Sequence, residues 1–217
     1  MSLNGVLKIF LLTVLTLTFS FLPASPKNYS DENKFISIDK SLLKSGDIIF
    51  RRGLSFVSNM ILMADSKSPY SHTGLIVCEG EKIFVIHTTP DESDDGIDIV
   101  KYDLLEDFLR LDRASSTSVY RLSDSMQSVY SVKSVEAAKK FFNEKILFDA
   151  ALDLSTSDKL YCTELVWKAY LASGLDLIDS KFEYLKIPLS KGSYILPGTL
   201  INSPYLKQII SNTQYKE

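Results

Sequence analysis

Apolar and polar positions alternate along this chain in patterns that change from one segment to the next. From Ile9 to Leu22 only Thr and Ser interrupt an apolar run of fourteen residues. The run is shorter than the ~20 residues that span a hydrocarbon core, follows the single charge Lys8 and ends near the small residues Ala24 and Ser25. Residues 1–26 therefore read as a signal peptide. Pro23 and Pro26 make a poor cleavage site, so an N-terminal membrane anchor stays open, and no Cys supports lipoprotein processing. Residues 27–35 are a polar, flexible lead-in, and 36–217 form one domain.

Within that domain, Ser45-Gly46-Asp47 is a turn before the short strand Ile48–Arg51. Leu54, Val57, Ile61 and Leu62 recur at helical spacing, predicting an amphipathic helix over Ser55–Ala64. Two strands, His72–Cys78 and Glu81–His87, are joined at Glu79-Gly80 as a hairpin. A strand over Ile97–Tyr102 leads to a short helix opened by Asp103, with Glu106 at capping-box spacing. Val119–Leu122 is a further strand, and Ser134 caps a helix carrying Val135, Ala138, Phe141 and Phe142. Cys162, Leu165, Val166 and Ala169 follow i, i+3, i+4, i+7, a buried helical stripe ended by Gly174. The tail from Lys181 reads as loop. Helices layered on a mainly antiparallel sheet make an α+β architecture.

Composition narrows the function. The 217 residues are 45% apolar and 24% charged, as in globular proteins, and a net charge of -3 offers no basic field for nucleic acid. Two His and two Cys, without C-x-x-C or His-x-x-x-His spacing, leave little from which to build a metal site. No metal or other cofactor is expected.

Those scarce residues are the candidates for chemistry. With a two-residue turn at Glu79-Gly80, Cys78 faces Glu81, and His72 and His87 are directly opposed, their Cβ atoms about 4.5–5.5 Å apart. One ring can then orient the other. Cys162 falls at a helix start, where unpaired N–H groups and the dipole favour a negative sulfur and where an oxyanion hole can form. A neighbouring imidazole would lower the thiol pKa further. Set against this are a small buried core Cys, and a Cys78–Cys162 disulfide. Cys78 and His72 are roughly 20 Å apart along one strand, so a disulfide excludes contact between Cys162 and His72. Spacing alone leaves that choice open.

A resemblance resolves it. The segments Ser45–Phe50, Tyr70–Val77 (with Ser-His-x-Gly), Val119–Leu122, Phe148-Asp149 and Tyr161–Val166 (Tyr-Cys-x-Glu-Leu), followed by Ala169-Tyr170, resemble the permuted papain-like amidases of the YaeF/YiiX type in the NlpC/P60 superfamily. The resemblance spans about Leu42 to Gly174. It implies a circularly permuted papain-like fold in which the His strand precedes the Cys helix. Cys162 is implied as nucleophile and His72 as general base, with His87 in a third position where many relatives carry Glu. Tyr161 would line the site or donate to the substrate. Asp47, Asp149 and Glu164 match family positions and are expected to be structural.

The resulting expectation is an exported cysteine hydrolase in the periplasm, cell envelope or medium, anchored through residues 9–22 if the leader is retained. It would cleave an amide bond in a cell-wall peptide or related substrate through a Cys162-His72-His87 triad and an acyl-enzyme. Two alternatives differ in what they require. Acyl hydrolysis or transfer on lipids or thioesters predicts an apolar groove, to which the segment Leu54–Met63 would contribute. A non-catalytic binding module predicts a burial-raised Cys162 thiol.

Overall fold

The computed structural model describes residues 34–90, 92–93, 96–184 and 192–213. The leader reading (1–26) and most of the lead-in lie outside them. No helix of the described residues is long and apolar enough to cross a membrane.

Six antiparallel strands form one sheet. They are β1 (Ile48–Gly53), β2 (His72–Glu79), β3 (Lys82–His87), β4 (Lys101–Leu104), β5 (Ala114–Leu122) and β8 (Leu206–Thr213), in spatial order β4-β3-β2-β1-β5-β8. A separate parallel pair joins β6 (Leu147–Phe148) to β7 (Lys159–Leu160). Helices α1 (Phe56–Ala64), α2 (Leu105–Phe108), α3 (Asp124–Asn143), α4 (Cys162–Ser173) and α5 (Pro197–Ile201) complete the fold.

Both faces of the sheet are covered, which explains its long apolar strands. Ile48, Phe50, Leu75, Val77 and Ile86 pack with Val135 and Ala138 of α3 and Leu165, Val166 and Ala169 of α4. On the other face, Ile49, Ile76 and Val85 pack with Leu105 and Phe108 of α2 and with Ile36 and Leu109. Period-two alternation thus sends neighbouring residues of each strand into different cores. A buried ion pair, Arg121 to Asp47 at 2.6 Å, ties β5 to the turn before β1.

Several boundaries differ from the sequence expectation. Helix α3 begins eleven residues before Val135, and Ser134 lies inside it, buried, with its hydroxyl on the Ser131 carbonyl at 2.9 Å. Small polar residues face the core there because the turn at Gly46 presses close: a Cβ at Gly46 would sit 2.4 Å from the Ser131 Cβ. The expected loop tail contains α5 and the edge strand β8, which pairs with β5. The hairpin turn is Gly80-Glu81, not Glu79-Gly80, because Glu79 pairs with Lys82 and Gly80 takes φ 59. Gly is the residue for which that left-handed turn conformation is least costly.

The Asp103 expectation also needs correction. Asp103 belongs to β4, opposite Val85, and the residue at the N-cap of α2 is Leu104, without a side-chain cap. The strand runs later than Ile97–Tyr102, and Ile99 makes only an isolated bridge to Leu147.

Candidate active site

The hairpin correction moves the two histidines by two residues, not one. Cys78 pairs with Ile83 and Leu75 with Ile86, so His72 and His87 are not directly opposed. A shift of two keeps both on one face of the sheet, whereas a shift of one would have separated them. They meet diagonally: His72 Nε2 lies 3.0 Å from His87 Nδ1. The Gly of the Ser-His-x-Gly segment makes this approach possible, since a Cβ on Gly74 would stand 3.0 Å from the His87 Cβ and 2.4 Å from Val85 Cγ1.

His87 has a second partner that the sequence reading did not assign. Its Nε2 lies 3.1 Å from Asp103 Oδ2. Asp103 sits two residues from Lys101, the β-partner of His87, so the contact is again diagonal. Assigning Asp103 to a strand would have put it on the His87 face; reading it as a helix cap hid that signal. Phe108 closes the group from α2, with its ring centroid 5.5 Å from His72 and 5.0 Å from His87. Arg51 covers that ring at 4.6 Å and pairs with Glu92.

These contacts fix the protons. Burial works to raise the Asp103 carboxyl, but its hydrogen bond to and charge interaction with His87, aided by Lys101 and Arg113, hold it below the ordinary range. An ionised carboxylate only accepts, so His87 carries its proton on Nε2. Burial, then the positive charge of Arg51, holds His87 below the usual imidazole value against the opposing pull of Asp103. Neutral His87 therefore accepts at Nδ1, and His72 donates from Nε2. His72 is left with its lone pair on Nδ1.

Cys162 opens α4 directly after Tyr161, which is the N-cap and donates its N–H to Glu164 Oε2 at 3.3 Å. Both Cys78 and Cys162 are free thiols. The sulfur of Cys162 faces the backbone N–H groups of Thr73, Thr163 and its own residue. Thr73 adjoins His72, so the start of α4 meets the start of β2, and Cys162 and His72 line one cavity. Burial nevertheless pushes the thiol up to about 11, against those N–H groups and Arg51, which favour the thiolate. Burial likewise drives His72 well below its usual value. The resting pair is neutral, unlike the negative sulfur expected from the helix start alone.

The cavity encloses about 560 Å³, part of it open to solvent. Val57, Ile61, Phe148, Leu152, Ile195 and Leu196 give it apolar walls, and among the described residues no Asp, Glu, Lys or Arg lines it. Tyr161 lines it too, although its hydroxyl accepts from the Ile195 N–H at 3.0 Å. Thr88 also lines the cavity, and its buried hydroxyl has no hydrogen-bond partner among the described residues. Glu164 and Asp149 have structural partners: Glu164 pairs with Lys168 at 2.8 Å, and Asp149 accepts from the N–H of Ala151 at 2.9 Å.

An antiparallel sheet covered by helices, with a Cys at a helix start and a His on a strand earlier in the chain, defines a papain-like fold in permuted order. Residues 42–209 match the model of the permuted papain-like amidase family, YaeF/YiiX, C92. The chain belongs to that family. The protein YiiX of Escherichia coli (strain K12) is 28% identical over 127 residues, covering 58% of this chain and 57% of YiiX. The match thus spans less than two thirds of that relative. A crystal structure titled metalloprotein yiiX from Escherichia coli O157:H7, DUF1105, shares the fold with a TM-score of 0.64 and 23% identity, covering 78% of this chain and 98% of that one.

Proposed function

We propose that this protein is a cysteine hydrolase that cleaves an amide bond through Cys162, His72, His87 and Asp103. The observation that carries the reading is the hydrogen-bonded line Asp103-His87-His72, which leaves His72 a lone pair on Nδ1 in a residue that lines the same cavity as Cys162. His72 takes the Cys162 proton as the sulfur attacks the carbonyl carbon, and the imidazolium then gives that proton to the leaving nitrogen as the C–N bond breaks. Water, deprotonated by His72, then attacks the thioester carbon; the C–S bond breaks, the acyl group leaves as a carboxylic acid, and His72 returns its proton to the sulfur. Because the resting pair is neutral, proton transfer accompanies attack; Asp103, acting through His87, stabilises the imidazolium that forms. N–H groups at the start of α4 are the candidate donors to the developing oxyanion.

The cavity favours a substrate with an apolar acyl portion over a charged cell-wall peptide. Among the described residues its walls offer no counter-ion for a free amine or carboxylate. The Ile9–Leu22 run supports action at the cell envelope, by export or anchoring. The metalloprotein title of the structural neighbour does not fit these residues. Among the described residues no three His, Cys, Asp or Glu are grouped to hold a metal ion, and three of the four imidazole nitrogens are already engaged.

A second reading has one observation in its favour: the raised Cys162 thiol is what a non-catalytic binding module of this fold would show. Mass spectrometry separates the two. Incubation with a long-chain N-acyl amide, an acyl thioester and a muropeptide should give an acyl adduct on Cys162 with the acyl-chain compounds, lost in Cys162→Ala. A muropeptide adduct alone would overturn the apolar preference, and the absence of both an adduct and a hydrolysis product with every substrate would leave the binding module as the reading.

A further inference from the structure

Helix α1 breaks the usual rule for a surface helix. None of its nine residues is buried, and residues 53–64 contain no charge. Phe56, Met60 and Met63 follow i, i+4, i+7 and so share one stripe, yet they are 79%, 56% and 87% exposed. Leu54 beside them is 49% exposed. Polar residues belong on such an outward face, and a contiguous apolar stripe there marks a surface that another phase covers.

The other side of the same helix serves the catalytic cavity, which Val57, Ser58 and Ile61 line together with Cys162. The outer stripe is therefore about one helix diameter from the mouth of the site. The exposed Arg52 precedes the uncharged segment; the buried Asp65 follows it, and then the exposed Lys67, which shares its charge with Glu183. The exposed Asn59 flanks the stripe, and its exposed side chains Phe56, Met60 and Met63 are of the apolar kind that an interfacial helix buries at the headgroup boundary.

The chain itself indicates the occupant. It enters the described domain at Lys34, whose carbonyl accepts from the Leu111 N–H at 2.8 Å. The next residues, Asp112 and Arg113, share a surface depression with Leu54, Ser55 and Ser58 at the start of α1. Eleven residues, 23–33, separate this entry point from the apolar run Ile9–Leu22, a reach of about 36 Å when extended. A run that inserts in a bilayer would hold this edge of the domain close to the lipid.

We propose that the Phe56-Met60-Met63 stripe of α1 docks on a lipid bilayer surface and sets the mouth of the Cys162 cavity at that surface. This proposal stands without the hydrolase reading, because docking requires no turnover.

The test uses the full chain carrying Met60→Trp, with the parent chain, whose only Trp is Trp167 on α4, as background. Vesicles of phosphatidylcholine mixed with phosphatidylglycerol are compared with the same vesicles made from brominated lipids. The expected result is solvent-exposed emission in buffer, a blue shift on adding vesicles, and quenching by the brominated lipids that weakens when Phe56→Ser and Met63→Ser are added. Emission unchanged by vesicles overturns the proposal. Emission already blue in buffer also overturns it. If independent of protein concentration, that outcome assigns the stripe to the chain's own 9–22 segment; if concentration-dependent, to a second copy. The stripe is exposed, so the substitutions leave the core intact, and an unchanged melting temperature checks this.

Discussion

His87 Nδ1 lies 3.0 Å from His72 Nε2 although the two residues are out of direct register on β2 and β3. The diagonal contact depends on Gly74, which continues the register to a place opposite His87 and has no Cβ to fill it. An added Cβ meets Val85 Cγ1 at 2.4 Å, the Ile86 carbonyl at 2.9 Å and the His87 Cβ at 3.0 Å, two of which are strand atoms that cannot rotate away. Gly74→Ala should therefore destabilise the fold by roughly 1–3 kcal/mol and displace His87. The denaturation midpoint and the turnover per folded molecule should both fall; full turnover in the folded fraction would show that the ring contact tolerates the shift.

Asp103 acts by deciding where protons sit. Asn in its place can donate to His87 Nε2 instead of accepting, which would put the His87 proton on Nδ1 and turn His72 around to a tautomer with no lone pair toward the thiol. Asp103→Asn should lower kcat by roughly 10²–10⁴-fold with little change in KM. Asp103→Ala should be milder, since it removes the acceptor without installing a donor. Equal losses in the two variants would leave charge alone, and not tautomer control, as the role of Asp103. The melting temperature serves as the control for folding.

How the line Asp103-His87-His72 was and was not readable is instructive. Period two placed both histidines on one face even with the turn misassigned, because an error of two residues preserves facing. Cys162 was legible from its place before a buried helical stripe and from the Tyr-Cys-x-Glu-Leu resemblance. Asp103 was not, because an Asp three residues before a Glu has the local chemistry of a helix cap, and only pairing with β3 makes it a strand residue. The first half of α3 was hidden for a related reason. Ser131 is small so that Gly46 can approach, a tertiary demand that interrupts the apolar period. The neutral state of the thiol was also invisible, since helix position favours the thiolate while burial, which only the fold reveals, opposes it more strongly.

The buried imidazoles give stability a definite pH dependence. Both are held below the ordinary 6.5, chiefly by burial. Above that pH they are neutral folded and unfolded alike and contribute no slope. As pH falls through 6.5 the unfolded chain takes up protons that the folded chain refuses, so stability falls. Urea midpoints should be level from about pH 8 to 7 and drop toward pH 5, with a shallower drop in His72→Gln. An unchanged slope in that variant would remove His72 as a source. The thiol, raised to about 11, should be alkylated roughly tenfold faster per pH unit through the neutral range. A plateau near neutral pH would instead reveal a thiolate-imidazolium pair.

Thr88 lines the cavity and carries a buried hydroxyl that no described residue satisfies. A buried hydroxyl without a partner costs stability, and substrate is the natural source of one here. Thr88→Val keeps the shape and removes the group, so the folded state should hold its stability or gain slightly. Substrate should suffer instead, with kcat/KM down by about tenfold, the worth of one hydrogen bond. A loss of stability without a loss of kcat/KM would mean that the hydroxyl serves the fold.

The sharpest test of the relay exchanges its middle member. A Glu in place of His87 would set a carboxylate where it can accept the His72 Nε2 proton directly. In this chain it would also face Asp103, whose oxygen lies 3.1 Å from the present imidazole nitrogen. Two carboxylates that close cannot both ionise, so one would hold a proton and His72 would lose part of its partner's charge. His87→Glu alone should therefore be impaired. Adding Asp103→Asn removes the repulsion and supplies an amide donor to the new carboxylate. The same Asp103→Asn that harms the parent should then raise kcat in the His87→Glu background, a reversal of sign that a purely structural role for Asp103 does not produce. Losses that simply add across the cycle would mean that His87 and Asp103 do not act through one another.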